Sequence, residues 1–207
     1  NDLLLSSLAY GLSSLTQLKI NSISLEAHGR EDLDVSLDHS KTIGWFTAIF
    51  PINLEISNNI ESTIKNTKEN LRLIPDKGVG FGSFLVNNFG LSFDDLPKIS
   101  FNYLGQFDSQ DEVWQLSSET SGVNFHSDNQ NNNIIDINGM VINGKLTFKI
   151  LSRLAKTRTY NFVSNWKKSL ELVIAECINK ISENRALKMV CNSARPSRLS
   201  RLSRLKS

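Results

Sequence analysis

Hydrophobic residues first recur at helical spacing along this chain and then alternate with polar ones. The opening stretch predicts a helix whose buried side is formed by Leu4, Leu5, Leu8, Leu12 and Leu15. From Ser22 to Glu26 the alternation predicts a strand, with Ile23 and Leu25 on one face and Glu26 on the other. Gly29 interrupts the pattern, so Glu26 stands on the polar side of a strand end.

A second strand and a second helix follow. Alternation predicts the strand at Phe50, Ile52, Leu54 and Ile56, and Pro51 indicates an edge position or a bulge because proline has no N–H for the ladder. Helical spacing predicts the helix at Ile60, Ile64, Leu71 and Ile74. Asn58 with Glu61 resembles a capping box at its start, and Pro75 ends it.

The C-terminal part predicts a hairpin and a long helix. In "NGMVINGKLTFKIL" the turn falls at Asn143 and Gly144, a pair that accepts the positive φ angles of a tight turn. The last helix is indicated by Val163, Trp166, Leu170, Ile174, Cys177 and Ile181. Because helices and strands do not alternate simply, the class is α/β or α+β.

Charge and composition limit the classes of partner that the chain is expected to bind. Of 23 lysines and arginines, seven follow Glu183, where no acidic residue occurs, so residues 1–183 carry a net charge of −5. An acidic body argues against binding to nucleic acid. No apolar run is long enough to cross a bilayer, and two isolated cysteines fit a reducing compartment, so we expect a cytoplasmic protein without a membrane span.

Two motif-like features have simpler interpretations. "PDKGVGFG" is rich in glycine, but it lacks the spacing of a nucleotide-binding loop, and a tight turn with close backbone approach explains it better. The histidines His28, His39 and His126 have no metal-ligand spacing, so we expect no metal site.

Two segments leave alternatives open. The polar stretch Asp108 to Asn133 is too long for an ordinary connection, and it is either a functional loop or a disordered one. The tail "SRLSRLSRL" is either a basic amphipathic element for a membrane or an acidic partner, or a disordered and even frame-shifted end. We favour the disordered interpretation, because a period of three does not hold one helical face for long.

Polar residues also interrupt the strand-like stretch "ISFNYLGQFD". Asn102, Gln106 and Asp108 occur where a buried strand would avoid polar groups, which suits the wall of a site.

Five stretches together resemble successive motifs of epimerization domains of nonribosomal peptide synthetases. They are "NDLLLSSLAYGL", "EAHGRE", "KTIGWFTAIFPINLE", "PDKGVGFG" and "FNYLGQFD". The resemblance is specific from Asn1 to Asp108 and continues more loosely to Ile181.

The resemblance implies a fold and an activity. Such domains are similar to chloramphenicol acetyltransferase, with two α/β lobes around a tunnel, so this chain should be one lobe with a mixed β-sheet flanked by helices. They act as isomerases that invert the Cα of an aminoacyl or peptidyl thioester. The substrate arrives on the 4′-phosphopantetheine arm of a carrier domain, so we expect no cofactor bound directly.

The resemblance also implies site residues. Glu26, the first glutamate of "EAHGRE", takes the place of a catalytic acid/base, with Ala27 where the family usually has glycine. A carboxyl group facing a tunnel suits proton removal if burial raises its pKa. Tyr103 and Asn102 would line the same tunnel and stabilise charge on the thioester oxygen. Arg30 would order the loop or pair with a carboxylate, and Trp45 would shape the substrate-binding wall.

The sequence also departs from the family pattern. The HHxxxDG motif that supplies the second acid/base group does not occur in it. We therefore expect residues 1–183 to be a C-terminal lobe, inactive without the N-terminal lobe, and residues 184–207 to be a basic low-complexity tail. The expected partners are a carrier domain, the N-terminal lobe and adjacent synthetase modules. A condensation-type lobe that forms peptide bonds and a noncatalytic carrier-docking fragment are the alternatives.

Overall fold

The architecture comes from a computed structural model that describes residues 1–31, 41–107, 119, 122, 126, 128 and 131–193, with side chains as far as Glu183. The helices are α1 (Asp2–Thr16), α2 (Ile60–Arg72), α3 (Phe81–Phe89) and α4 (Lys156–Ser193). The strands are β1 (Ile20–Ala27), β2 (Ala48–Glu55), β3 (Ile99–Gln106), β4 (Ile135–Ile142) and β5 (Lys145–Ser152). Two short 3₁₀ helices, Pro75–Gly78 and Phe93–Asp95, flank α3.

The five strands form one mixed sheet in the order β2-β1-β3-β4-β5. The central pairs β1–β3 and β3–β4 are parallel, and the outer pairs β1–β2 and β4–β5 are antiparallel. The predicted α/β class with a mixed sheet and flanking helices is therefore confirmed. Pro51 lies in β2 at one edge of the sheet, as predicted, and the β4–β5 hairpin turns at Asn143 and Gly144 with positive φ angles of 51° and 68°.

One face of the sheet is covered by α1 and α4. Its buried side chains include Ile23, Leu25, Phe101 and Ile137 from the strands, with Leu5, Leu8 and Leu12 from α1 and Phe162 and Trp166 from α4. The two helices approach closely at Gly11, where an added Cβ would lie 2.7 Å from Trp166 Cβ. The Trp166 Nε1 donates a buried hydrogen bond of 3.0 Å to Ser7 Oγ. The predicted buried side of the first helix is thus confirmed.

Two details of the predicted helices are wrong. The N-cap of α2 is Asn59 rather than Asn58, because the Asn59 side chain accepts a 2.8 Å hydrogen bond from the Ser62 N–H. In α4 the buried residues are Phe162, Trp166 and Val173, whereas Ile174 and Ile181 are exposed. At about 100° per residue, Ile174 and Ile181 lie about 100° and 80° around the helix from the buried Val173, which places them beside the packed face rather than in it.

The glycine-rich turn agrees with its simpler interpretation. Gly78 has a φ of +85°, and a Cβ there would lie 2.0 Å from the Phe50 ring, so the backbone passes directly against β2. The predicted domain boundary at residue 183 falls inside α4 and stays a prediction. The "SRL" tail, His39 and most of the stretch from Asp108 to Asn133 lie outside the described residues.

Candidate functional site

Glu26 lies on the face of the sheet opposite α1 and α4. The neighbouring Leu25 is buried in the core, and strand alternation turns the half-buried Glu26 the other way. Since β1 and β3 are parallel neighbours, Asn102 lies beside it, and Asn102 Nδ2 donates a 2.9 Å hydrogen bond to Glu26 Oε2. Two residues 76 positions apart in sequence thus meet through strand pairing.

The environment of Glu26 favours its protonated form. Burial raises the pKa of this carboxyl group, and the negative charge of Asp136 on β4 raises it further. A carboxyl group with a raised pKa exchanges protons closer to neutral pH than an ordinary glutamate. The arrangement is chemically suited to general acid/base catalysis.

The loop after β1 is built around Gly29. Its φ is +67°, and an added Cβ would lie 1.6 Å from the Phe46 carbonyl oxygen, so only glycine fits this approach. The adjacent Arg30 donates from Nη2 to the Thr42 carbonyl at 2.9 Å, and its guanidinium carbon lies 4.1 Å from the centre of the Phe46 ring. Arg30 therefore fastens this loop to the segment before β2.

A second connection joins this loop to the glycine-rich turn. Lys77 Nζ lies 2.6 Å from Glu31 Oε2, and His28 Nε2 lies 3.1 Å from Glu31 Oε1. Only the lysine contact is aligned as a hydrogen bond, and Glu31 Oε1 is a buried oxygen without one. Lys77 lies in a turn whose backbone is left-handed, with positive φ angles of 45° at Asp76 and 48° at Lys77.

Two cavities meet at Glu26. One, of about 630 Å³, is lined by Glu26, His28, Arg30, Trp45, Asn102 and Tyr103 among others. The other, of about 580 Å³, includes Glu26, Ile49, Phe93, Leu96, Ser100 and Leu151. A larger apolar cleft of about 750 Å³ runs along the outer edge of β2, but its lining has neither Glu26 nor Asn102. The candidate site is therefore the pair of cavities at Glu26, because they contain the carboxyl group suited to acid/base catalysis and the larger cleft does not.

The five predicted site residues share the first of these cavities but do not all adjoin Glu26. Asn102 contacts it directly, whereas Trp45 is 91% exposed and lies in the outer wall. Tyr103 follows Asn102 in β3, so its side chain starts on the opposite face of the sheet and packs against the core beneath α1. The catalytic and substrate-binding roles of these residues stay predictions.

Sequence reasoning missed Asp136, Ser100 and Lys77. Asp136 lies between the buried Ile135 and Ile137, so alternation alone places it on the polar face, as it does Glu26. Its proximity to Glu26 depends on strand order, which is not visible in the sequence. Lys77 had no signal beyond the glycine-rich turn that contains it.

Among the residues that the structure describes, no group of three or more histidine, cysteine, aspartate or glutamate side chains is arranged to hold a metal ion. In the same part of the chain, no helix has the length and hydrophobicity needed to span a bilayer.

Comparisons with known proteins agree with the family resemblance seen in the sequence motifs. Surfactin synthase subunit 2 of Bacillus subtilis (strain 168) is 34% identical over 189 residues, which cover 87% of this chain and 5% of that protein. The crystal structure of the epimerization domain from the third module of tyrocidine synthetase B is 33% identical, with a TM-score of 0.75. That match covers 87% of this chain and 43% of the solved one, so the chain spans less than half of that domain structure.

The fold is shared more widely than the sequence. The condensation domain of the monacolin K polyketide synthase MokA has a TM-score of 0.60 at 14% identity, over 83% of this chain and 40% of that one. The expected lobe fold and the resemblance to epimerization domains are thus confirmed. A family model described as "Condensation domain" matches residues 1–191. With nearly its whole length matched, the chain belongs to the condensation domain family.

Proposed function

We propose that the chain is the C-terminal lobe of an epimerization domain that converts an L-aminoacyl or peptidyl thioester into its D-epimer. One observation supports this most: the half-buried Glu26, with a raised pKa, lies at the junction of two cavities and is held by Asn102. The 33% identity with a solved epimerization domain supports the same assignment.

The reaction needs a proton removed from one side of Cα and returned to the other. Glu26 would serve one side, and a group of the N-terminal lobe would serve the other. The Asn102 amide would hold the Glu26 carboxylate in a single orientation during both steps. General acid/base groups of this kind contribute about 10² to 10⁴-fold each to the rate.

The substrate would enter the cavities on the 4′-phosphopantetheine arm of a carrier domain, with no cofactor bound by the chain itself. Trp45 would form the outer wall for this arm, and Arg30 would hold the floor loop through Thr42 and Phe46. Because Tyr103 starts on the opposite face of the sheet, it would act from the edge of the cavity rather than from beside Glu26, with its hydroxyl stabilising charge on the thioester oxygen. Adjacent synthetase modules in the cytoplasm would supply the carrier.

The test is loss of Cα deuterium from an aminoacyl thioester loaded on a carrier protein, catalysed by a domain with both lobes. Glu26→Gln should reduce the exchange at least 10²-fold. The matched control is Glu69→Gln on α2, an exposed residue whose ion pair with Arg72 spans 3.7 Å. Normal exchange by Glu26→Gln would refute the assignment.

A second function is favoured by the matching family model, whose description is the condensation domain. A condensation lobe would help to join two carrier-bound substrates instead of inverting one. The two functions separate in one assay with a loaded donor and a loaded acceptor carrier. Dipeptide formation without Cα exchange would establish condensation, and binding of the loaded carrier without either reaction would establish a docking role.

A further inference from the structure

Polar side chains form two rows across the face of the sheet that α1 and α4 leave free. Strand pairing aligns Ser24 with Ser100 and Ser100 with Asp136, which gives one row. In the next row Glu26 is bonded to Asn102, and Asn102 is aligned with Asn138. Asp136 therefore shares a face with Glu26, two strands away and one row along.

The carboxylate of Asp136 is held by three donors. Ser100 Oγ donates to Asp136 Oδ1 at 2.6 Å, and Asn133 Nδ2 donates to the same oxygen at 2.6 Å. Asn131 Nδ2 donates to the other oxygen, Oδ2. Ser100 is only 8% exposed, so this end of the network is anchored within the sheet. The position of the negative charge is therefore fixed.

The asparagine segment that holds Asp136 also forms part of the site. Asn131, Asn132 and Asn133 line the 580 Å³ cavity that includes Glu26. Asn132 Nδ2 donates to Asp94 Oδ1 at 2.9 Å, which ties the segment to the second 3₁₀ helix. Asp136 thus orders a wall of the cavity as well as placing a charge near it.

Other titratable groups lie around the two cavities at Glu26. The loop after β1 and the glycine-rich turn contribute His28, Arg30, Glu31 and Lys77, with Tyr103 as a further titratable group. The segment before β3 contributes Asp94 and Lys98, and Lys149 on β5 is aligned with Asn138. Burial raises the pKa of Glu26 most, and the negative charge of Asp136 raises it further.

We propose that Asp136 is a positioning residue for proton transfer at Glu26: it holds a fixed negative charge on the same face of the sheet and orders the adjacent cavity wall. The catalytic part of this inference rests on the proposed function, whereas the electrostatic part does not. Asp136 acts through Glu26 and need not contact the substrate. Its conservative replacement, glutamate, keeps the charge and should keep the effect.

The first experiment titrates the side-chain carboxyl of Glu26 by ¹³C NMR in the chain, with the resonance assigned by its absence in Glu26→Gln. Asp136→Asn should lower the pKa of Glu26, and Asp136→Ser provides a second neutral variant should the first fail to fold. Asp136→Glu should keep the pKa raised, and the exposed Glu69→Gln should leave it unchanged. An unchanged pKa of Glu26 in a folded neutral variant would overturn the proposal.

The second experiment measures Cα exchange against pH in a domain with both lobes. Asp136→Asn should move the limb of the pH profile that reports Glu26 to lower pH, and Asp136→Glu should restore it. Loss of exchange in Glu26→Gln with an unshifted profile in Asp136→Asn would refute only this inference. Full exchange in Glu26→Gln would refute the proposed function, and the NMR result would still decide the electrostatic effect.

Discussion

Lys77 Nζ and Glu31 Oε2 lie 2.6 Å apart and join two motifs that are separated by 46 positions in the sequence. The Glu31 side chain is only 15% exposed, whereas that of Lys77 is 67% exposed. The pair therefore fastens the loop after β1, which follows Glu26, to the turn that packs on Phe50. The floor of the candidate site is held by this contact.

Lys77→Asn should lower the free energy of unfolding by about 1 kcal/mol, because it removes the hydrogen-bonded one of the two basic partners of a largely buried carboxylate. Asparagine tolerates the positive φ of this position, so backbone strain should not confuse the result. A double-mutant cycle with Glu31→Gln, followed by urea denaturation, measures the coupling. Strictly additive effects of the two substitutions would contradict this role of the pair.

Asn102→Ala should slow Cα exchange by about 10 to 100-fold in a domain with both lobes, because the Glu26 carboxylate loses the donor that orients it. The matched control is Asn66→Ala on α2, which removes an exposed 2.7 Å hydrogen bond from the Asn66 side-chain amide to Ser57 Oγ. Exchange rates on a loaded carrier provide the measurement. Equal rates for the two variants would show that Asn102 does not position Glu26.

Glu26→Gln should make the chain more stable at neutral pH. Because burial raises the pKa of Glu26, the native state keeps a proton that the unfolded state has already lost. Stability should therefore fall as the pH rises from the ordinary value for glutamate through the raised one. In Glu26→Gln this fall should be absent from thermal melts recorded at a series of pH values.

Glu61→Gln should change the stability of the chain in the opposite direction in the same series of thermal melts. Hydrogen bonds from Lys65 and Lys180 lower the pKa of Glu61, so its stabilising contribution is present above the ordinary value and is lost at lower pH. The variant should be less stable than the unmutated chain at neutral pH and equal to it in acid. The same direction of change for both glutamates would refute the assignment for Glu26.

Gly11→Ala should destabilise the chain by about 1 to 2 kcal/mol, because overpacking against Trp166 outweighs the better helix propensity of alanine. Gly80→Ala is the control, since a Cβ at Gly80 meets no atom within 4 Å. Urea denaturation of both variants tests the difference. A Gly11→Ala variant as stable as Gly80→Ala would mean that α1 and α4 can separate at no cost.

The sequence patterns predicted the local elements and the position of Glu26 at a strand end. They also placed Asn102 in the same tunnel as Glu26, but only through the family resemblance, and the direct hydrogen bond between the two was not predicted. Asp136 was missed because β1, β3 and β4 pair across long sequence separations that periodicity does not reveal. Lys77 was missed because the left-handed conformation of Asp76 and Lys77, neither of them glycine, has no signature in the sequence.

Pro51 has a consequence beyond marking the edge of the sheet. A proline within an edge strand interrupts the row of N–H donors that an incoming strand of another chain would need. In the sheet formed by the described residues, β2 is the outermost strand on its side, so a strand of another chain could pair there. Pro51 makes such pairing less favourable, because an incoming strand would lack one hydrogen-bond donor at this position.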